Sequence, residues 1–145
     1  MHRPTCLLVA SVVMILLGSG SPKEFDDATQ RDIIEGGWIQ VAVDLKGREF
    51  NGLSQNRTIF CNGTYAVDVD HGTTLRGNYY LDTSRTPYHL DLIPSRGRYV
   101  GQTIRCICQI HGEKLVVAFR PGDDMQRPRG FSDDDLIVET YKRIK

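Results

Sequence analysis

Cysteines in the second part of the chain are the residues that could most readily do chemistry. Cys106 and Cys108 lie two residues apart on a predicted strand, so both side chains should point to one face. A direct bridge between them would be strained, and the pair lacks the further ligands of a zinc site. The alternatives are buried thiols, one disulfide to Cys61, or metal or redox chemistry. Strand parity favours buried thiols, because Phe60 should face inward and Cys61 outward.

The histidines and the acidic run do not form a recognisable catalytic or metal-binding set. His71 and His111 lie in predicted turns, and His89 lies on the solvent face of a strand. No Ser-His-Asp or Cys-His arrangement has a recognisable spacing. The run at residues 133–135, three aspartates, lacks the alternating ligands and glycine of a calcium loop. We therefore predict no catalytic residue, no metal ligand and no cofactor, and interpret the protein as a non-enzyme.

The charge balance excludes a general electrostatic partner. Lys and Arg number 18, as do Asp and Glu, so the formal net charge is zero and nothing attracts nucleic acid or an anionic membrane overall. Arg96, Arg98, Arg127 and Arg129 could form a basic rim for an anionic ligand if they lie together. Aromatic residues do not alternate with these arginines, so no nucleic-acid partner is predicted.

The first twenty residues have the order of a secretory signal peptide. Arg3 precedes an apolar run at residues 6–17, and Gly18 and Gly20 supply the small residues before a cleavage site. The run of twelve residues is shorter than the roughly 20 that span a bilayer, although an uncleaved anchor is the alternative. We therefore predict an exported protein, periplasmic or extracellular, with no membrane span after the signal is removed.

The rest of the chain is predicted to be one domain. The signal peptide occupies residues 1–20, a linker residues 21–25, and the domain residues 26–145, starting with a short helix at 26–35 that Gly36 and Gly37 end. From Trp38 onward apolar residues alternate with polar ones, and glycine-rich turns separate the segments. Eight strands in up-and-down order close into a barrel, and an open sandwich is the alternative. The predicted strands are 38–44, 57–61, 65–70, 75–82, 88–92, 99–110, 114–120 and 136–144.

A set of motifs resembles known lipocalin-like domains. A short helix followed by Gly36-Gly37-Trp38 resembles the opening of lipocalins, and the wider pattern is similar to a family of small secreted bacterial lipocalin-like domains with no assigned activity. The resemblance implies an all-β lipocalin-like barrel in which Arg143 stacks over Trp38, and it implies no catalytic residue. Its other motifs are Lys46-Gly47-Arg48, residues 77–82, Pro87 followed by residues 90–92, then residues 111–119, 127–131 and 141–143.

The predicted barrel interior leads to two hypotheses on function. In the first, the protein is an exported binding module that holds a small hydrophobic or amphiphilic molecule, with Trp38, Tyr65, Tyr79, Leu90, Cys106, Cys108 and Phe119 as ligand-binding residues. In the second, the core is filled and the protein is a structural or protein-interaction domain of the cell envelope. Two thiols and only 8% aromatic residues favour a filled interior, whereas a cavity above about 300 Å³ would favour a ligand. The full inward-facing set is Trp38, Phe60, Tyr65, Val67, Leu75, Tyr79, Leu90, Leu92, Ile104, Cys106, Cys108, Ile110 and Phe119.

Overall fold

A computed structural model describes residues 33–45, 48–51, 56–69, 73–122 and 126–145. The predicted signal peptide, the predicted linker and nearly all of the predicted helix lie outside these residues. Among the described residues, no helix has both the length and the apolar character to cross a bilayer. The strands of the described residues are β1 (Gly36–Leu45), β2 (Arg48–Asn51), β3 (Arg57–Cys61), β4 (Thr64–Val69), β5 (Thr73–Asp82), β6 (Tyr88–Pro94), β7 (Ile104–His111), β8 (Lys114–Phe119) and β9 (Ile137–Arg143).

The strands form a closed antiparallel barrel. From β3 to β9 each strand pairs with the next one in the chain, and β9 returns to pair with β1. Strands β2 and β3 pair with different halves of β1, at Ala42–Leu45 and Gly36–Ile39 respectively. These two strands therefore occupy one strand position, and the barrel has eight positions. The predicted up-and-down barrel is confirmed, and the open sandwich is not formed.

The strands differ from the prediction by more than two residues in two places. The predicted sixth strand began at residue 99, but β7 begins at Ile104. The preceding segment is a turn, because Gly97 and Gly101 have φ angles of +88° and +79°, which strands do not accommodate. Strand β2 was not predicted, because its four residues REFN show no run of alternating apolar side chains.

The hairpin between β3 and β4 determines which side chains of these two strands face the barrel interior. Asn62 and Gly63 have φ angles of +49° and +78°, as a two-residue hairpin with both central residues left-handed requires. This turn pairs Phe60 with Tyr65, and both side chains are buried, as predicted. Tyr65 in turn lies over Gly77, where a Cβ atom would stand 2.8 Å from the tyrosine ring.

One end of the barrel is closed by a stacked pair. Trp38 is fully buried, and the Arg143 guanidinium lies over its ring with Cζ 4.1 Å from the centroid. The guanidinium also donates to the carbonyls of Glu35 at 2.8 Å and Ile33 at 3.1 Å. The indole Nε1 donates to the Ile34 carbonyl at 2.8 Å. The predicted stacking of Arg143 on Trp38 is confirmed, and it holds the segment before β1 against the barrel end.

The segment between β8 and β9 is fixed to the outside of the barrel by an arginine. Arg127 donates to the Cys106 carbonyl at 2.7 Å and pairs with the Asp91 carboxylate at 2.5 Å. Of the four arginines in the basic rim predicted from the sequence, Arg127 is therefore engaged by the barrel wall, and the rim stays a prediction. The acidic run is also engaged, since Asp133 pairs with Arg120 at 2.9 Å. No cluster of potential metal ligands occurs among the described residues.

Candidate functional site

A cavity of about 200 Å³ lies inside the barrel. Most of its lining is apolar and comes from β4 to β8, which we call the apolar wall. The volume is below the roughly 300 Å³ of common ligand pockets, but it exceeds the roughly 150 Å³ that holds benzene in a protein core. The interior is therefore neither the filled core favoured by the sequence nor a wide lumen. The apolar wall includes Val67, Leu90, Leu92, Ile104, Leu115 and Phe119.

The cavity is approached from the end of the barrel opposite the Trp38–Arg143 pair. Its lining includes the last residue of β8, Phe119, and the first residue of β7, Ile104. Antiparallel order places these strand ends together, away from the beginning of β1. Leu75 also lines the cavity and is 42% exposed. This end, the cavity mouth, is where a molecule could enter.

The opposite side of the cavity is polar, and three neighbouring strands supply it. Gln40 on β1 pairs with Tyr141 on β9. On the other side of β1, the backbone N–H of Gln40 donates to the backbone carbonyl of Asn56 at 2.9 Å. Asn56, Thr58, Glu139 and Tyr141 line the cavity, whereas Gln40 does not line it and supports Glu139 through a hydrogen bond. Gln40 and Thr58 are each only 5% exposed. We call these five residues the polar wall, which makes the barrel interior amphipathic.

Glu139 is the acidic residue of the polar wall. The Tyr141 hydroxyl donates to its carboxylate at 2.5 Å, and Gln40 also hydrogen-bonds to it. Burial raises the pKa of Glu139, and the two hydrogen bonds oppose that shift. The pKa of Tyr141 is raised well above its usual value, chiefly by burial and then by the neighbouring carboxylate. The tyrosine is therefore a neutral donor to Glu139 near neutral pH.

Two acceptor atoms of the polar wall have no hydrogen bond. Asn56 Oδ1 and Thr58 Oγ1 are buried, and neither has a hydrogen-bond partner among the described residues. Thr58 lies near enough to Tyr141 to lower the pKa of the phenol, but not in bonding geometry. Leaving a buried polar atom unpaired costs about 1–3 kcal/mol. Such atoms in native proteins usually meet water or a ligand.

The predicted ligand-binding residues divide into two groups. Tyr65, Leu90 and Phe119 line the cavity. Trp38, Tyr79, Cys106 and Cys108 are buried in the same core but do not line it. Trp38 is covered by Arg143, and Tyr79 packs its ring edge-on against Phe60 with centroids 5.0 Å apart. The Cys106 thiol is directed at the Ile104 carbonyl of its own strand, with a separation of 3.7 Å.

The cysteines of β7 are buried thiols, as predicted. Cys106 and Cys108 are both free and both fully buried. Burial raises the pKa of Cys108 to about 12 and raises that of Cys106 as well, so neither forms the reactive thiolate at neutral pH. The alternative of a disulfide from this strand to Cys61 is not formed, because both thiols of β7 are free.

The polar wall was missed by the sequence prediction, although strand parity contains a signal for it. Side chains two residues apart on a strand share a face. Since Arg143 faces Trp38 at the closed end, Tyr141 and Glu139 must face the interior as well. Thr58 follows in the same way from Phe60. The prediction selected apolar residues alone, so these positions were left out.

Comparisons with known proteins add no assignment. No family model matches the chain, and no curated protein or solved structure matches it either. The resemblance to bacterial lipocalin-like domains therefore stays a prediction from the motifs.

Proposed function

We propose that this protein is an exported, non-enzymatic binding module that holds one small amphiphilic molecule inside its barrel. The amphipathic cavity is the observation that carries the proposal. Pockets for small molecules are mostly apolar and contain a few convergent polar groups, and residues with perturbed pKa values concentrate at functional sites. The apolar wall and the polar wall with its buried Glu139 meet both descriptions.

The size of the cavity limits the ligand. At about 200 Å³, the enclosed space suits a single ring or a short alkyl chain, because benzene fills a cavity of about 150 Å³. A longer molecule would have to extend through the cavity mouth past Leu75 and Phe119. The free cysteines, the strongest nucleophiles of the core, do not line the cavity, which supports binding rather than covalent catalysis.

Native mass spectrometry of the protein purified from its own host tests the proposal. We expect a small molecule to copurify with the wild-type protein and to be released on denaturation. Val67→Phe should fill the cavity and abolish this copurification. Ile59→Phe is the matched control, because Ile59 is exposed on the outer face of β3 and the ligand should remain. Repeated absence of any ligand, with no binding of toluene or 1-hexanol, would refute the proposal and favour a structural domain of the cell envelope.

Export is tested by the N-terminus of the same preparation. Cleavage after Gly20 should yield a protein that begins at Ser21 and is recovered from the periplasm or the medium. Intact mass measurement and N-terminal sequencing identify the first residue. A cytoplasmic protein that retains Met1 would contradict export, whereas retention of the apolar segment in a membrane fraction would indicate the uncleaved anchor.

A further inference from the structure

Three side chains that line the cavity carry oxygens able to accept a hydrogen bond, namely Asn56, Thr58 and Glu139. Asn56 Oδ1 and Thr58 Oγ1 are buried without partners among the described residues. The Glu139 carboxylate takes bonds from Tyr141 and Gln40, but a carboxylate has about four acceptor positions, so capacity remains. A molecule that satisfies this group of atoms must bring donors.

Glu139 also has no positive partner among the residues that the structure describes. The described residues that line the cavity include no lysine, arginine or histidine. The ion pairs among the described residues join other side chains and leave Glu139 out. An isolated buried carboxylate is costly unless it is paired or protonated. A cation entering the cavity would therefore gain more here than a neutral or negative group.

We propose that the cavity binds a small primary amine whose apolar body is a single ring or a short alkyl chain. The inference rests on the proposed binding function. The ammonium has three N–H donors, and Glu139, Asn56 and Thr58, which all line the cavity, carry oxygens that can accept them. The ring or chain lies against the apolar wall, at Leu90 and Leu115. A ligand carboxylate is disfavoured, because it would face the Glu139 carboxylate with a like charge.

The pH dependence of binding follows from the groups around Glu139. Two titratable groups interact with Glu139, namely Tyr141 on β9 and Cys106 on β7. Gln40 on β1 carries no charge, and neither does Val117 on β8, which is the cross-strand neighbour of Glu139. Burial raises the pKa of both Tyr141 and Cys106, so both stay neutral as Glu139 ionises. Amine affinity should therefore increase with pH as the Glu139 carboxyl loses its proton, until the amine itself is deprotonated.

Isothermal titration of the wild-type protein with three ligands of one shape tests the inference. Any copurified ligand is first removed by dialysis. Benzylamine should bind at least about tenfold more tightly than benzyl alcohol, since a charge-assisted bond contributes about 1.5–3 kcal/mol. Benzoate should not bind measurably. Equal affinity for benzylamine and benzyl alcohol would overturn the amine assignment while leaving a ligand cavity in place. If toluene also fails to bind, the cavity proposal itself fails.

Two variants test whether the Glu139 carboxylate is responsible for the affinity for benzylamine. Glu139→Gln keeps the shape and most hydrogen bonds, and it should weaken benzylamine at least about tenfold while changing benzyl alcohol little. Glu113→Gln is the matched control, because this exposed acid pairs with Lys145 at 3.7 Å outside the cavity, and it should leave both ligands unchanged. An unaltered benzylamine affinity in Glu139→Gln would overturn the inference. If Glu139→Gln does not fold, the ligand series on the wild type decides alone.

Discussion

The closed end of the barrel allows the energy of a single stacked pair to be predicted. Arg143 covers the Trp38 ring with Cζ 4.1 Å from the centroid and donates to two backbone carbonyls. A desolvated cation–π contact contributes about 0.5–2 kcal/mol. A hydrogen bond from a charged group contributes about 1.5–3 kcal/mol, although water can replace it where the carbonyl is accessible. Allowing for one such bond, Arg143→Met should lower the free energy of unfolding by about 2–4 kcal/mol.

Two further variants separate the parts of this interaction. Arg143→Lys keeps the positive charge, but an ammonium group lacks the planar guanidinium that donates to two carbonyls at once. We therefore expect the free energy of unfolding to fall by about 1–2 kcal/mol. Trp38→Phe combined with Arg143→Met in a double-mutant cycle should give a coupling of about 0.5–2 kcal/mol. Because Trp38 is the only tryptophan of the chain, its fluorescence can follow urea unfolding of the Arg143 variants, and circular dichroism can follow all of them. A loss below about 0.5 kcal/mol for Arg143→Met, or zero coupling, would refute the stacked seal.

Three further predictions concern the barrel wall and the cavity. Burial raises the pKa of Glu139, so the folded state holds the proton of this carboxyl more tightly than the unfolded state does. The free energy of unfolding should therefore fall as the pH rises from about 4.3 through the raised pKa, by up to about 1.4 kcal/mol per pH unit. Glu139→Gln should remove this decline in urea titrations at several pH values, and an unchanged decline would contradict the assignment. Gly77→Ala should cost about 1–3 kcal/mol through overpacking, whereas Gly130→Ala, which has open space around it, should cost little; equal unfolding midpoints would argue against the close contact. Arg127→Met should cost about 1–3 kcal/mol in the same assay, because it leaves Asp91 without its partner; a wild-type midpoint would mean that the pair adds nothing.

The barrel could be predicted from sequence because its strands carry local signals. Alternation with period two marked most strands, and Asn62-Gly63 fixed a hairpin that the structure confirms. The turn before β7 was missed because Val100 resembles a strand residue, yet it is 56% exposed. Strand β2 was missed for a different reason. It is defined by its pairing with β1, and a four-residue segment without alternation carries no local signal for that pairing.

The cavity could be predicted only in part, because its two walls follow different rules. The apolar wall obeys the expectation that apolar residues face inward, so Tyr65, Leu90 and Phe119 were identified. The polar wall violates it, and residues such as Glu139 are usually exposed on a strand. The two-residue alternation along β9, counted from Arg143, places Glu139 inside the barrel. It does not predict whether the side chains around Glu139 leave a cavity. The size of that gap depends on how eight strands close, which no local pattern encodes.

The polar wall is difficult to explain as a device for stability. Among the described residues, the Glu139 carboxyl has no cation partner, and the buried side-chain oxygens of Asn56 and Thr58 have no hydrogen-bond partner. Each of these groups costs free energy that leucine or valine at the same position would not. Buried ionic groups are often replaceable by apolar residues with no loss of stability. Local violations of good packing and pairing are expected where a protein has a functional site. An amine that pairs with Glu139 and fills the space beside Leu90 would satisfy the unpaired groups and the cavity together. The same residues that weaken the empty barrel would then supply the affinity of the occupied one.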